Sequence, residues 1–325
     1  MKAVVVTRFG GLEGMKFEEV ERPKVGNNQV LIRVAAAAVN FADIKSRKGK
    51  FHGGLRPPFI PGLDAAGTVE AIGAHVTSVK VGQRVIAFPT TGSYAEYTVA
   101  NENLTFPIAD TVDFEVAAAS PLVSFTSFQL LSEVGRLKKG ENVVIHSAAG
   151  GVGTTAIQTA KILGAGLIIG TVSRDEKKET VLKAGADVVL NYEKEDIVKK
   201  ILHYTDGHGG DVILDSIAAE IGEKSMECLA MYGRLVNFGN AGGRPVQFQS
   251  TDLHSTCRSV LGFSLGTTIK RRPEIVRQTA EQVLPYLADG RLNIVIGRKL
   301  PLEEARAAHD WIESRRSTGK VILVP

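Results

Sequence analysis

Glu141-Asn-Val-Val-Ile-His-Ser-Ala-Ala-Gly-Gly-Val-Gly153, running on through Thr154–Leu163 to Gly164–Val172, is the stretch on which the fold is read. Asn142 to His146 is a short apolar run rich in β-branched residues, which suits a strand buried on both faces. Ala148 to Gly153 follows as a tight turn. Beyond it Ala156, Ile157, Ala160, Ile162 and Leu163 recur at helical spacing, and Gly164 marks the helix stop. Leu167 to Val172 is a second apolar strand. Strand, glycine turn, helix and strand make the βαβ unit that binds dinucleotides. The turn residues Ala149, Gly150, Gly151, Val152 and Gly153 are therefore candidate pyrophosphate contacts. Gly150 lets the backbone approach the ligand, Gly153 lets the helix pack closely on the strand, and the free N–H groups of the helix start face the phosphates. Ala148 replaces the first glycine of Gly-x-Gly-x-x-Gly, so the flanking strand and helix carry the reading more than the glycines do.

The end of the second strand separates NAD from NADP. An NAD enzyme usually places an acidic residue there to accept from the ribose hydroxyls. Val172 stands at that point, and Ser173-Arg174-Asp175-Glu176-Lys177 follows. Ser173, Arg174 and Lys177 offer a hydroxyl and two cations to a 2′-phosphate, and a guanidinium matches a phosphate in shape as well as charge. NADPH is the expected cofactor. The bland alternative is a solvated charge run in which Asp175 and Glu176 merely cap a helix.

The chain has 325 residues, enough for two domains, with 44% hydrophobic and 23% charged residues. Its net charge of +4 comes from basic residues scattered among acidic ones, so neither a nucleic-acid nor a membrane stripe is expected. Cys228 and Cys257 are too few for a disulfide framework or a four-cysteine zinc lobe. The first residues lack a signal pattern and no apolar run of membrane-spanning length stands out, which favours a cytoplasmic setting.

Residues 1–122 read as a β-rich domain, with strands at Ala3–Thr7, Lys16–Val20, Gln29–Ala35, Gly67–Ile72, Arg84–Ala87 and Ser93–Val99. Phe125 to Val134 reads as a helix. From there to residue 265 strands and helices alternate, ending at strand Arg234–Phe238, the pattern of a doubly wound parallel sheet. The tail 266–325 holds helices Pro273–Leu287 and Leu302–Ser314 and strands Asn293–Ile296 and Val321–Val324. Those strands are too few to stand alone, so the tail is expected to return and complete the first domain.

Several motifs then align together: Val39-Asn-Phe-Ala-Asp43, Pro61-Gly-Leu-Asp-Ala-Ala-Gly67, Val81-Gly-Gln-Arg-Val85, Ala117–Leu122 with Thr126, the glycine turn, Ala184-Gly-Ala-Asp187 with Asn191-Tyr192, Asp211–Ser216 and Gly319-Lys-Val321. With these the chain resembles the zinc-free quinone oxidoreductase (ζ-crystallin-like) branch of the medium-chain dehydrogenase/reductase superfamily. The resemblance implies a GroES-like partial barrel holding a Rossmann domain, with the active site in the cleft between them. It implies that Asn40 faces the nicotinamide ribose and Thr126 the nicotinamide end, and that Tyr192 lies against the adenosine end. It also implies that Phe238-Gly239-Asn240, Phe263 to Leu265 and Lys320 line the nicotinamide side. A homodimer is implied, joined through an edge strand for which Leu253–Leu261 is the candidate.

Zinc enzymes of the superfamily place a cysteine near Asn40 and a His-Glu pair after Pro61-Gly62. Asn40 and Leu63-Asp64 stand there instead, so no metal is expected. His52, His75, His203, His208, His254 and His309 read as solvated, and His146 as a packed residue. Related reductases carry tyrosines near positions 45 and 51; Lys45 and Phe51 stand here, and Lys45 reads as a solvated side chain. The expected chemistry is hydride transfer from NADPH to a quinone or other electron-poor conjugated carbonyl, in a cleft to which Phe51, Phe59, Phe88 and Phe125 offer flat apolar faces or, singly, ordinary core packing. Enone or enoyl thioester reduction is the alternative, and an NADPH-binding protein without useful catalysis is the rival of another class.

Overall fold

The computed structural model describes residues 1–50 and 54–325. Phe51 and His52 lie outside them. Among the described residues six strands precede residue 110: β1 (Lys2–Val6), β2 (Met15–Glu19), β3 (Gln29–Val39), β4 (Asp64–Ile72), β5 (Arg84–Pro89) and β6 (Tyr97–Pro107). Six more follow: β7 (Val143–Ile145), β8 (Ile168–Val172), β9 (Val188–Asn191), β10 (Gly210–Asp215), β11 (Leu229–Asn237) and β12 (Ser259–Gly262). The chain closes with β13 (Ile296–Pro301) and β14 (Lys320–Val324). Two compact units result, one of residues 1–125, 266–290 and 296–325, the other of 126–265 and 291–295.

In the first unit the sheet order is β13-β14-β3-β4-β5-β6, and β3 also pairs with β6, so β3 to β6 close on themselves as a partial barrel. Closure removes most of the open sheet edge. The C-terminal β14 enters this sheet antiparallel to β3, with Val321 opposite Val39. That register brings Lys320 to the level of Asn40.

In the second unit the order is β12-β11-β10-β7-β8-β9, all parallel. Alternate residues of one strand face opposite layers. Val143 and Ile145 join one apolar cluster and Val144 the other; Val212 and Leu214 are split from Ile213 in the same way. Both faces are thus covered, as a parallel sheet requires. The order reverses between β7 and β10, and ligand crevices of open α/β sheets lie at that switch, beyond the carboxyl ends of the strands.

Some elements depart from the sequence expectation. The helix expected from Phe125 begins at Phe114 and continues as a wider turn over Gln129–Val134. The combined stretch of 21 residues is long and apolar enough to span a membrane, but its apolar window is 78% buried, so it is a core helix. Tyr94 and Glu96 are drawn to β1, accepting from Val4 N–H and donating to Lys2 O, so β6 begins only at Tyr97. The tail strand lies at Ile296–Pro301 rather than Asn293–Ile296. Leu253–Leu261 is not one strand: Thr251–His254 is helical, Cys257 turns through φ +54°, and only Ser259–Gly262 is extended. Helices Phe41–Arg47 and Leu265–Arg271 were not anticipated. The first opens on Asn40 with Asp43 three residues on, a capping signal inside the motif read for binding.

Candidate functional site

A parallel sheet puts every strand's carboxyl end on one edge, and the second unit collects its candidate residues there. The glycine turn follows β7, Ser173 to Lys177 follow β8, and Tyr192 follows β9. Phe238 to Asn240 follow β11, and Phe263 to Leu265 follow β12. Phe238 N–H donates to Asp215 O, and Phe263 N–H to Asn237 O, which ties these loops to the strand ends. Thr126 is buried in helix Phe114–Phe128.

The two key glycines answer different constraints. Gly150 caps the helix Gly151–Ile162 in an extended conformation, and a Cβ there would meet only Ser147 O, at 3.4 Å. A Cβ on Gly153 would lie 2.5 Å from Ala148 O. The first position opens on free space, and the second is closed by the preceding turn. The N–H groups of Gly151, Val152 and Gly153 begin the helix and have no carbonyl within it to bond. A turn that any Cβ-free residue leaves open, beside unbonded amides, has the shape and charge a pyrophosphate needs.

Val172 points into the core and cannot act as an acid there. Arg174 is exposed, while Ser173 and Lys177 are half-buried. Asp175 does not cap the following helix with its side chain. It accepts from Lys194 at 2.6 Å and from Asn191 at 2.9 Å, and Lys178 lies 3.3 Å away. The Lys194 hydrogen bond, with Asn191, holds the Asp175 carboxyl well below its ordinary range. Asp175, the acid next to Arg174 in the chain, is thus committed to other cations, and Ser173, Arg174 and Lys177 suit a phosphate on the ribose better than a bare hydroxyl pair.

In the first unit Lys320, Asn40 and Asp64 form a buried cluster. Lys320 Nζ donates to Asn40 Oδ1 at 2.5 Å and to Asp64 Oδ2 at 3.1 Å, and Asn40 Nδ2 donates to Asp64 Oδ2 at 2.9 Å. Asp64 Oδ1 takes the Leu122 N–H at 2.9 Å. Asp64 and Lys320 are 0% and 3% side-chain exposed, so an ammonium sits in a dry pocket with its counter-ion. Burial raises the Asp64 carboxyl, and Lys320 opposes that rise. Asp64, which the sequence offered only as a replaced metal ligand, thus joins the candidate residues Asn40 and Lys320. Among the described residues no group of three or more His, Cys, Asp and Glu side chains could hold a metal ion.

Other candidates move. His309 is buried, not solvated: Arg47 Nη1 lies 3.3 Å from its Nδ1 and the Tyr94 hydroxyl 3.2 Å from its Nε2. Its helix, Ala305–Glu313, carries Ala305, Ala308 and His309 on the packed face, a periodicity that could have shown it. Phe88 and Phe125 are core side chains, meeting edge-on at 5.5 Å, and Phe59, half-buried, packs against the cluster formed by β1, β14 and helix Ala305–Glu313. Lys45 is half-buried, its Nζ 5.3 Å from the centre of the Phe41 ring. His146 is buried, its ring bonded to Thr171 and Ser225 hydroxyls at 2.8 Å each, as a packed residue should be.

The chain matches the family model for the alcohol dehydrogenase GroES-like domain over residues 26–110 and that for zinc-binding dehydrogenases over 151–284. It is 36% identical to a quinone oxidoreductase of Pseudomonas aeruginosa, covering 100% of this chain and 99% of that protein. It is 37% identical to the quinone oxidoreductase of Sus scrofa, covering 100% and 98%. Among solved structures, the Escherichia coli quinone oxidoreductase complexed with NADPH matches at TM-score 0.91 and 31% identity, with both chains fully covered. The quinone oxidoreductase of Pseudomonas syringae matches at TM-score 0.91 and 34% identity, covering 100% of this chain and 99% of that one. Full-length identity at this level, the closed GroES-like barrel and the switch-point sheet give one assignment: the chain belongs to the quinone oxidoreductase family of the medium-chain dehydrogenase/reductase superfamily.

Proposed function

We propose that this protein is an NADPH-dependent reductase that delivers hydride to a quinone or another electron-poor conjugated carbonyl, and that it works without zinc. The observation that carries the reading is the open turn at Gly150 after β7 together with Arg174 after the neighbouring β8, where the adjacent acid Asp175 is already paired with Lys194. The NADPH complex of the Escherichia coli relative supports it. Gly150 to Gly153, with Ala149, hold the pyrophosphate, the N–H groups of Gly151, Val152 and Gly153 donating to it. Ser173, Arg174 and Lys177 hold the 2′-phosphate, and Tyr192 lies against the adenosine. Asn40 and Lys320 serve the nicotinamide ribose, and Thr126 the nicotinamide end. Phe238, Gly239, Asn240, Phe263 and Leu265 keep water from the ring.

The reduced nicotinamide supplies the hydride when bound. The protein's own contribution is orientation and a dry setting. A reduced quinone or an enolate takes its proton from water, so no side chain need act as a strong acid. Zinc independence is supported by the donor set: Asn40 and Asp64 are engaged by the Lys320 ammonium, and a cation already in place repels a second. A homodimer through β12, one of the two edge strands of the parallel sheet, and a cytoplasmic location suited to two unpaired cysteines complete the reading.

The test is NADPH oxidation against quinones, enals and crotonyl thioesters, with elemental analysis of the purified protein. Turnover of quinones with no bound zinc is expected. Turnover of thioesters but not quinones sinks the quinone assignment. Tight NADPH binding with no oxidation of any acceptor makes the protein a binder instead.

A further inference from the structure

A row of buried polar groups runs from helix Ala305–Glu313 to the start of helix Phe41–Arg47. Arg47 Nη1 is 3.3 Å from His309 Nδ1, His309 Nε2 is 3.2 Å from the Tyr94 hydroxyl, and that hydroxyl is 3.4 Å from Asp43 Oδ2. All four residues are at most 1% exposed. A guanidinium can only donate. His309 Nδ1 must therefore accept, and the ring is neutral with its proton on Nε2. That proton goes to the Tyr94 oxygen, and the phenol gives its own hydrogen to Asp43. One group that cannot accept thus sets the direction of every bond behind it. The row ends on the carboxylate oxygen that also takes the Asn40 backbone N–H, at 2.8 Å.

The charges around it agree with that direction. Burial, then Arg47, holds His309 down to about 3, so the ring is neutral across the working range. Burial pushes Asp43 up to about 7, with Asp64 adding to the rise and the Asn40 N–H and Lys320 opposing it. The groups facing Asp43 are therefore Asn40, Asp64, Lys320 and Tyr94, and the Tyr94 hydrogen falls on a carboxyl balanced between its two states near neutrality.

We infer that Asp43 is a positioning residue, backed by Tyr94, His309 and Arg47: it fixes Asn40 at the head of its helix and thereby sets how tightly the reduced cofactor is held. The inference rests on the reading that Asn40 meets the nicotinamide ribose. None of the four needs to touch cofactor or substrate.

The experiment measures NADPH affinity by fluorescence titration from pH 5.5 to 9. Tyr94→Phe keeps the ring and removes one hydrogen. It should weaken NADPH roughly three- to tenfold at pH 7, the range one hydrogen bond spans. It should also move the midpoint of the pH profile upward, because losing a donor favours the protonated carboxyl. Asp43→Asn should bind weakly with that midpoint gone. His309→Leu should copy Tyr94→Phe, and His309→Gln, able to accept from Arg47 and donate to Tyr94, should recover most of the loss; this pair decides the matter if Tyr94→Phe does not fold. A Tyr94→Phe that lowers only the melting temperature, with affinity and midpoint unmoved, overturns the inference. Asn40→Ala keeps the two readings apart. If it leaves NADPH affinity unchanged, the role of Asn40 is wrong. If it weakens NADPH while Tyr94→Phe and Asp43→Asn do not, only the positioning role is wrong.

Discussion

Gly150 and Gly153 sit three positions apart and respond oppositely to one added methyl. Gly150→Ala meets nothing closer than 3.4 Å and keeps an ordinary φ of −77°, so the fold should stay within about 0.5 kcal/mol of wild type while NADPH affinity falls. Gly153→Ala drives a Cβ to 2.5 Å from a backbone oxygen and should destabilise by about 1–3 kcal/mol, the usual range for overpacking. Thermal melts with and without NADPH separate the two; equal melting losses in both variants would refute the distinction. Arg174→Ala removes a charge-assisted contact worth about 1.5–3 kcal/mol, so NADPH should weaken by about tenfold or more and NADH hardly at all. Equal thermal shifts with both cofactors would remove Ser173, Arg174 and Lys177 from the site.

At the scale of elements, helix Phe41–Arg47 is held at both ends by buried polar groups. Asn40 and Asp43 cap its start, and Arg47 at its end reaches Gly10 O, His309 and Glu313. Seven residues are too few to be helical by propensity alone. Tertiary anchoring makes the helix, so removing an anchor should be costly. Arg47→Ala leaves His309 Nδ1 and Gly10 O without their donor and Glu313 with only Lys48. Glu313 is 22% exposed, which moderates the loss; about 2–3 kcal/mol is expected in chemical denaturation.

Across the whole molecule, the same row of groups ties stability to pH with two opposing signs. Asp43 titrates near 7 when folded and near 3.8 when unfolded, so the folded state holds the extra proton between them, and stability falls as pH rises through that window. His309 titrates near 3 when folded and near 6.5 when unfolded, so the unfolded state holds the extra proton, and stability rises with pH there. From about pH 4 to 6.5 the two slopes oppose each other. His309→Gln should therefore expose the Asp43 slope, losing up to about 1.4 kcal/mol per pH unit as pH rises, and Asp43→Asn should expose the reverse. Denaturation midpoints at four pH values check both, and parallel profiles in all three proteins would contradict them. What could be read along the chain was local and periodic. The βαβ pattern around Gly150 to Gly153, the missing acid at Val172 and the basic cluster after it are near neighbours in sequence, so spacing alone carries their meaning. His309, Tyr94, Asp43 and Arg47 were not legible as a set, because their contacts join residues 51, 215 and 262 positions apart. Lys320 and Asn40 were named one by one, but only the register of β14 against β3 puts the ammonium 2.5 Å from the amide oxygen. Pattern reports which face of an element is apolar; which buried polar group finds which partner depends on how distant strands and helices pack, and that is decided in three dimensions.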